Sequence, residues 1–334
     1  MNDHTQLSDN PLLDVTHNRV WFDIPSPDWW QRKKQILKAV DDVSFQLREG
    51  ETLGVVGESG CGKSTLVRGI LGLESVTDGS VKLYGVELTG LDKNTMRGKR
   101  RDMQIIFQDP LASLDPRMTV SEIISEPLIV FQPELSKKER KRKVQQIMQR
   151  VGLLPNQINR YPHEFSGGQA QRIGIARALI LKPKLLICDE PVSALDVSIQ
   201  AQIINLLMDL QQEMGLSMIF IAHDLSVVKH ISHRVMVMYM GKVVEMASRD
   251  DLFRHPRHPY TKALMESIPI PDPAIERAKR GAPLTGDLPS PMDPPSGCNF
   301  RTRCPLAQDI CAAETPEWDE KAPDHWVACH FPVN

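Results

Sequence analysis

The apolar residues of this chain fall into short runs that alternate with segments of helical periodicity. Two runs between residues 36 and 56, ILKAVDDVSFQL and ETLGVVG, flank a turn at residues 48–50. Later runs are MQIIF near 105, LLIC near 187, MIFIA near 220 and RVMVMYM near 237. Short apolar runs bounded by turn residues are typical of buried strands. Because helical patterns such as SIQAQIINLLMDLQQEMG separate them, we expect an α/β fold with a partly parallel sheet.

Two regions depart from this alternation. Residues 119–159 have a helical pattern and no strand pattern, which predicts an inserted helical subdomain that extends to about residue 180. After about residue 270 the chain becomes rich in proline, which predicts an extended segment, and the last stretch holds four of the six cysteines. We therefore expect a main domain over residues 11–270 and a separate small Cys-rich extension over residues 271–334.

Charge and composition exclude several classes of protein. The net charge of −2 and the pI near 6.6 argue against bulk affinity for nucleic acid. The one basic run, at residues 137–143, has the pattern of a solvated helix face. No apolar stretch approaches the roughly 18 residues of a membrane span, and the polar, acidic start lacks the pattern of a secretory signal. We expect a cytoplasmic location.

A glycine-rich loop between a strand and a helix has the spacing of a P-loop, and it runs from Gly57 to Ser64. Backbone N–H groups of such a loop converge on phosphate oxygens, and the helix N-terminus adds partial positive charge. We expect Lys63 to reach the terminal phosphates of ATP and Ser64 to ligate Mg²⁺. The predicted ATP-binding residues are Gly57, Glu58, Ser59, Gly60, Cys61, Gly62, Lys63, Ser64 and Thr65.

Two adjacent carboxylates end the apolar run LLIC, which is the Walker B pattern. Successive residues of a strand point in opposite directions, so Asp189 and Glu190 should have different tasks. We expect Asp189 to hold Mg²⁺ through water and Glu190 to orient and deprotonate the attacking water. Gln108 and His223 also follow strand-like runs. The amide is placed to hold the water or the Mg²⁺ shell, and the imidazole to bond the γ-phosphate.

The segment Ser166-Gly167-Gly168-Gln169, followed by AQRIGIARAL, resembles the signature of ABC ATPases. A serine and two glycines that open a helix form a second anion cradle. In that family the signature completes the P-loop site of a partner subunit. The resemblance further implies that Gln108 is the Q-loop glutamine, that Ser193, Ala194, Leu195 and Asp196 form the D-loop, and that His223 is the switch histidine. It implies the cassette fold, with a RecA-like core, an antiparallel β subdomain and a helical signature subdomain.

Several segments are similar to those of ATP-binding subunits of oligopeptide and dipeptide importers, namely IFQDPLASLDPR, NRYPHEFSGGQ and HPRHPYTKAL. The resemblance implies a MgATP-dependent ATPase at the cytoplasmic face of the inner membrane, bound peripherally. Implied partners are a homologous ATPase, as a heterodimer, two permeases and a peptide-binding protein. Dipeptide, nickel and murein-peptide importers remain alternatives, and a soluble ABC ATPase of nucleic acid or ribosomes is a more remote one. The uninterrupted single cassette argues against that last class.

An aromatic residue near the N-terminus stacks on adenine in this family. Stacking needs only a flat ring, and Trp21 and Phe22 both offer one. We favour Phe22.

Four cysteines, Cys298, Cys304, Cys311 and Cys329, lie near the end of the sequence. Disulfides are disfavoured in a reducing compartment, and four thiolates suit zinc or an iron–sulfur cluster. Unligated packing cysteines, or replacement of one ligand by His325 or His330, are alternatives. The importer resemblance implies a [4Fe-4S] cluster.

Overall fold

A computed structural model of the protein describes residues 11–25, 35–267 and 288–333. Contacts divide these residues into two compact units. The first unit comprises residues 48–52 and 91–222, and the second comprises residues 11–25, 35–47, 53–90, 223–267 and 288–333. Most of the predicted extended proline-rich segment, residues 268–287, lies outside the described residues. Within the described ranges, no helix is long and apolar enough to cross a membrane.

Both strands and helices occur along the described chain. The strands, in chain order, are β1 (Pro11–Ile24), β2 (Gln35–Arg48), β3 (Thr52–Val56), β4 (Asp78–Leu83), β5 (Val86–Glu87), β6 (Met103–Ile106), β7 (Leu185–Asp189), β8 (Ser217–Ile221), β9 (Arg234–Tyr239), β10 (Lys242–Ser248), β11 (Asp319–Ala322) and β12 (His325–Val327). The helices are α1 (Lys63–Ile70), α2 (Lys93–Lys99), α3 (Val120–Phe131), α4 (Lys137–Arg150), α5 (Gly167–Leu179), α6 (Val197–Met214), α7 (Leu225–Ile231), α8 (Arg249–Arg254), α9 (Pro259–Glu266) and α10 (Asp309–Ala313).

The strands of the first unit lie in the order β8–β7–β6, and both pairings are parallel. Every residue of β7 and β8 is buried, which agrees with their continuous apolar sequences. In the register between β6 and β7, Ile106 lies opposite Cys188. The carboxyl ends of the two strands therefore meet at one edge of the sheet, and the polar residues that follow them lie at that edge.

Helices α3, α4 and α5 of the first unit pack against one another, in agreement with the helical pattern seen in the sequence. Each begins with a reciprocal capping box, in which the side chain of the N-cap residue accepts from the third backbone N–H and the third side chain bonds back. The N-cap residues are Thr119, Ser136 and Ser166. These caps fix where the three helices begin.

The second unit contains two sheets. One has the order β2–β1–β4–β5, in which β1–β4 and β4–β5 pair antiparallel, and the other has the order β11–β12–β10–β9–β3. Strand β3, which belongs to this unit except for Thr52, pairs in parallel with β9, whereas β9, β10, β12 and β11 pair antiparallel. Since all five residues of β3 are buried, the loop that follows it leaves from the core of the sheet.

Strand pairing joins the Cys-rich end of the chain to the second unit, and the domain boundary predicted near residue 270 stays a prediction. Strand β12 pairs with β10, with Val327 opposite Glu245. The fully buried carboxylate of Glu245 contacts His325 Nε2 at 2.7 Å and accepts from the backbone N–H groups of Arg257 and His258. A buried charge needs such partners, and these partners tie residues 288–333 into the second unit.

Candidate functional site

The predicted phosphate loop joins β3 to α1, as expected. Gly62 precedes the helix with φ +104°, and a Cβ atom on it would lie 2.1 Å from the carbonyl oxygen of Ala39. A Cβ on Gly57 would lie 2.3 Å from the carbonyl oxygen of Met238. The loop is thus packed directly against neighbouring backbone, which only glycine allows at these two positions. Ser59 and Gly60 lie at its exposed tip.

Lys63 is buried, and its ammonium group donates to carbonyl oxygens of its own loop, Gly57 at 2.7 Å and Glu58 at 3.1 Å. A cation held over the loop in this way offers charge complementary to a phosphate. Cys61 packs beneath the loop, and burial raises the pKa of its thiol. Ser64 and Thr65 follow Lys63 in the first turn of α1 and are half-buried.

In the first unit, Gln108 Nε2 donates to Glu190 Oε2 at 2.9 Å. Gln108 follows β6 and Glu190 follows β7, so the parallel pairing of these strands brings the two predicted residues together. Asp189, the last residue of β7, is only 5% exposed. Its buried carboxylate is the hard oxygen donor that Mg²⁺ prefers. The two carboxylates therefore differ in burial, and the separate tasks expected of them stay a prediction.

Glu190 adopts a left-handed backbone conformation with φ +48°. Its N–H donates to Ile221 O at 3.1 Å, and its carbonyl oxygen accepts from Ser193 Oγ at 3.1 Å. A residue other than glycine in this region costs on the order of 1–3 kcal/mol and is commonly found at functional sites. This backbone conformation ends the extended run of β7 at Asp189, and the Glu190 side chain is hydrogen-bonded to Gln108.

The loop after Gln108 is fastened to the signature helix. Arg177 of α5, largely buried, donates from Nη1 to the carbonyl oxygen of Ser113 at 2.7 Å. Further along the loop, the Arg117 guanidinium donates to Asp115 and lowers the pKa of that carboxyl to about 2. A movement of this loop would therefore be transmitted to α5.

The predicted signature residues lie at the N-terminus of α5. Ser166 is exposed, and its Oγ accepts from Gln169 N at 3.4 Å. A Cβ on Gly168 would lie 2.5 Å from Ile199 Cγ2 of α6. Besides its expected place in an anion cradle, Gly168 therefore allows close packing of α5 and α6, a role that the sequence analysis missed. Gly167 lies next to Leu195 of the predicted D-loop.

The predicted D-loop is a turn between Glu190 and α6, and Asp196 is the N-cap residue of that helix. Ala194 is exposed at this turn. Val197, the first residue of α6, is 82% exposed, an unusual environment for an apolar side chain. His223 is exposed and lies between the end of β8 and Asp224, the N-cap residue of α7. The roles predicted for these residues stay predictions.

The two candidate adenine platforms lie on β1 and are half-buried. The ammonium group of Lys38 lies 4.7 Å from the ring centroid of Trp21, so one face of that indole is already covered. No such ring contact is found for Phe22 among the described residues. Stacking of Phe22 on adenine stays a prediction.

All four predicted cluster cysteines line one small cavity. Burial and the neighbouring thiols raise the pKa of Cys329 to about 12, and burial raises the pKa of Cys298 and Cys304. However, in the described part of the chain no group of three or more His, Cys, Asp or Glu side chains is arranged as a metal site. The predicted [4Fe-4S] cluster is thus not confirmed. His325 is engaged with Glu245, and His330 donates to Glu314 O at 3.0 Å.

Two residues that the sequence analysis missed hold the phosphate loop. The Arg303 guanidinium donates to both carboxylate oxygens of Glu58, at 2.7 and 3.0 Å, and Tyr260 Oη accepts from Glu58 N–H at 2.9 Å. Neither residue carries a motif. The only sequence feature that pointed to either residue was the segment HPRHPYTKAL around Tyr260, which is similar to that of peptide importers.

Comparison with known proteins agrees with this geometry. Residues 40–193 match the family model of the ABC transporter, and residues 244–311 match that of the oligopeptide/dipeptide transporter C-terminal region. A dimeric structure of the ATP-binding cassette MJ0796, in a post-hydrolysis state with ADP and Pi, is 28% identical with a TM-score of 0.64. The match covers 71% of this chain and 98% of that one. The chain belongs to the ABC transporter family, and its cassette fold is confirmed.

Relatives within that family narrow the assignment. The oligopeptide transport ATP-binding proteins OppF of Salmonella typhimurium and Escherichia coli are each 60% identical to this chain over 319 residues. Each match covers 95% of both sequences. The resemblance to ATP-binding subunits of peptide importers is confirmed, and the chain is an ATPase subunit of that kind.

Proposed function

We propose that this chain binds and hydrolyses MgATP to energise import of oligopeptides through an ABC transporter. Similarity to OppF proteins along almost the whole sequence carries the proposal. Dipeptide, nickel and murein-peptide transport remain alternatives for the cargo, since the residues assigned here act on ATP and not on the cargo. A role on nucleic acid or ribosomes receives no support from these relatives.

The proposed chemistry divides the steps of ATP hydrolysis among the predicted site residues. Lys63 turns from the loop carbonyls to the terminal phosphates, and His223 bonds the γ-phosphate. Glu190 accepts a proton from the attacking water. Gln108, whose amide donates to Glu190 in the structure, orients that water. Ser64, Asp189 and Gln108 supply oxygen donors for Mg²⁺ or its water shell, and the ion neutralises charge on the phosphates when bound.

A second ATPase subunit completes the site in this proposal. The N-terminus of α5 carries the exposed Ser166, and the exposed Val197 lies beside the D-loop. Both features suit burial against a partner, and MJ0796 was solved as a dimer. We infer a heterodimer with a homologous subunit, bound peripherally to two permeases at the cytoplasmic face of the inner membrane. The exposed apolar residues Phe107 and Leu111, near Gln108, suit permease docking.

Affinity purification of the tagged chain from its own cells in mild detergent tests this assembly. Recovery of a different ABC ATPase together with two permeases is expected, and a peptide-binding protein should join them when peptide is added. Recovery of permeases with the tagged ATPase and no second kind of ATPase would indicate a homodimer instead of a heterodimer. Recovery of ribosomes without permeases would overturn the transporter proposal. A Lys63→Ala variant, which should lose ATP binding, tests the nucleotide site separately.

We further propose that Cys298, Cys304, Cys311 and Cys329 hold a [4Fe-4S] cluster. The shared cavity and the four-thiol donor set support this, although the thiols are not at ligand spacing in the structure. When bound, such a cluster would cross-link a region with few apolar residues. Anaerobic purification should yield about four iron and four sulfide per chain with visible absorbance. The Cys311→Ser variant should lack the iron, the sulfide and the absorbance. The Cys188→Ser variant should retain them, because Cys188 is remote in sequence and buried in β7. Anaerobically purified protein without iron would contradict the proposed cluster.

A further inference from the structure

The ion pair between Arg303 and Glu58 joins the far end of the chain to the phosphate loop. Two parallel N–H···O bonds of 2.7 and 3.0 Å connect the guanidinium to the carboxylate. The Arg303 side chain is 6% exposed and that of Glu58 is 28% exposed. Bidentate pairs of this kind fix geometry as well as charge, and burial protects them from screening by salt.

Aromatic packing holds Arg303 in place. Arg303 N–H donates to the carbonyl oxygen of Phe300 at 3.0 Å, so both residues belong to one turn. Phe300 is fully buried, and its ring centroid lies 5.3 Å from those of Tyr239 and Tyr260. Tyr260 is the same residue that accepts from Glu58 N–H. The cluster thus sets the position of both groups that hold Glu58.

Glu58 is the second residue of the phosphate loop, and its carbonyl oxygen accepts from Lys63. In the proposed mechanism Lys63 leaves this carbonyl for the phosphates of ATP. The loop then loses both of its hydrogen bonds from Lys63, to Gly57 O and Glu58 O, and the contacts of Glu58 with Arg303 and Tyr260 remain to hold its backbone. Arg303 also neutralises a carboxylate that would otherwise repel the triphosphate.

We propose that Arg303 is a positioning residue for ATP binding, which acts through Glu58 on the shape and charge of the phosphate loop. The inference rests on the proposed function, because it assumes that the loop binds ATP. It makes the C-terminal region part of the nucleotide-binding apparatus, whether or not its cysteines bind a cluster. A residue that acts in this way affects the affinity for ATP more than turnover at saturation.

The test measures the Kd of a fluorescent ATP analogue and the KM and kcat of ATP hydrolysis for the full-length chain. Arg303→Ala should raise Kd and KM by about tenfold, which corresponds to about 1.4 kcal/mol, with kcat within about twofold. Arg303→Lys, which keeps the charge but not the bidentate geometry, should lie between Arg303→Ala and the unaltered chain. Glu58→Gln should raise Kd less than Arg303→Ala, because it leaves no uncompensated carboxylate.

Arg301→Ala is the matched control, since Arg301 donates to Ser296 O at 2.9 Å within the same turn region. It should leave Kd unchanged. A double variant with Glu58→Gln and Arg303→Ala should bind no more weakly than Arg303→Ala, because both changes act on one contact. If Arg303→Ala fails to fold, Arg303→Lys and Glu58→Gln decide the question. Normal Kd in the folded variants, with only a lower melting temperature, would overturn the proposal. Normal Kd in Lys63→Ala would instead overturn the proposed nucleotide site.

Discussion

Gln108 and Glu190, 82 residues apart in sequence, are joined by a hydrogen bond of 2.9 Å at the carboxyl ends of two parallel strands. The amide nitrogen of Gln108 donates to Oε2 of the carboxylate that we propose as the proton acceptor. If a water molecule entered between the two side chains, the Gln108 amide could donate to it and the Glu190 carboxylate could accept from it. The loop that carries Gln108 is also fastened to the signature helix through Arg177 and Ser113. The position of Gln108 is therefore linked to that of α5.

Glu190→Gln should lower ATP turnover on the order of 10² to 10⁴-fold, because the amide cannot accept the proton of the attacking water. ATP binding should persist, since the phosphate loop is unaltered. Steady-state hydrolysis and nucleotide binding by the same preparation provide the measurement. Gln108→Glu, which places two carboxylates side by side, should also slow turnover. Unchanged turnover in Glu190→Gln would remove this residue from proton transfer.

Gly168→Ala should destabilise the packing of α5 against α6, because its Cβ would lie 2.5 Å from Ile199 Cγ2. We expect a loss of about 1–3 kcal/mol in the free energy of unfolding. Urea denaturation followed by circular dichroism measures it. Gly174→Ala is a matched control on the same helix, because a Cβ there meets nothing within 4 Å. It should be neutral or stabilising by up to about 1 kcal/mol. Equal effects of the two substitutions would contradict the packing argument.

The fully buried His258 should make stability fall in acid. Burial lowers the pKa of its imidazole from 6.5 to about 4, so the unfolded chain binds this proton more readily than the folded chain. Stability from this group is present above pH 6.5 and is lost as the pH falls towards 4. Between pH 7 and pH 5 the loss amounts to roughly 2 kcal/mol.

Urea denaturation at several pH values tests this dependence. His258→Asn keeps a side-chain acceptor for the N–H of Tyr260 and removes the titration, so it should flatten the slope. His163→Asn changes an exposed histidine and should leave the slope as it is. An unaltered slope in His258→Asn would assign the acid sensitivity to other groups.

Cys61 should resist alkylation despite its position within the phosphate loop. The thiol is 2% exposed and burial raises its pKa, so little reactive thiolate forms near neutral pH. Iodoacetamide labelling followed by mass spectrometry should show Cys61 reacting at least about tenfold more slowly in native protein than in urea. Cys188, buried with a pKa also raised, is the internal comparison. Rapid labelling of Cys61 but not of Cys188 in native protein would instead indicate that the Cys61 thiol is accessible to reagents and to oxidation.

Sequence patterns predicted the parts of the fold in which local signals agree. The apolar runs that became β6, β7, β8 and β9 are short and flanked by polar residues, and the helix that became α6 has clear periodicity. By contrast, no strand was predicted where β4 and β10 lie. Strand β1 pairs with β4 between residues 59 to 70 positions apart, and a register shift between Thr16 and Arg19 interrupts its alternation. Pairing at such a separation leaves no local pattern to detect.

The same distinction holds for the site. Gly57 to Ser64 and the Asp189–Glu190 pair are contiguous, so their spacing alone identified them. The contacts of Glu58 with Arg303 and Tyr260 join residues more than 200 positions apart, and neither partner belongs to a recognisable motif. The Gly168 contact with Ile199 likewise depends on how two helices cross. Such contacts require coordinates.

The Arg303–Glu58 pair has a consequence for synthesis of the protein on the ribosome. Arg303 is added 245 residues after Glu58, and translation proceeds at about 5–20 residues per second. For tens of seconds, the nascent chain therefore carries a phosphate loop whose carboxylate has not met its guanidinium partner. The contact that shapes this loop for ATP forms only after Arg303 has been added. Competence to bind nucleotide tightly thus arises well after the phosphate loop itself has been synthesised.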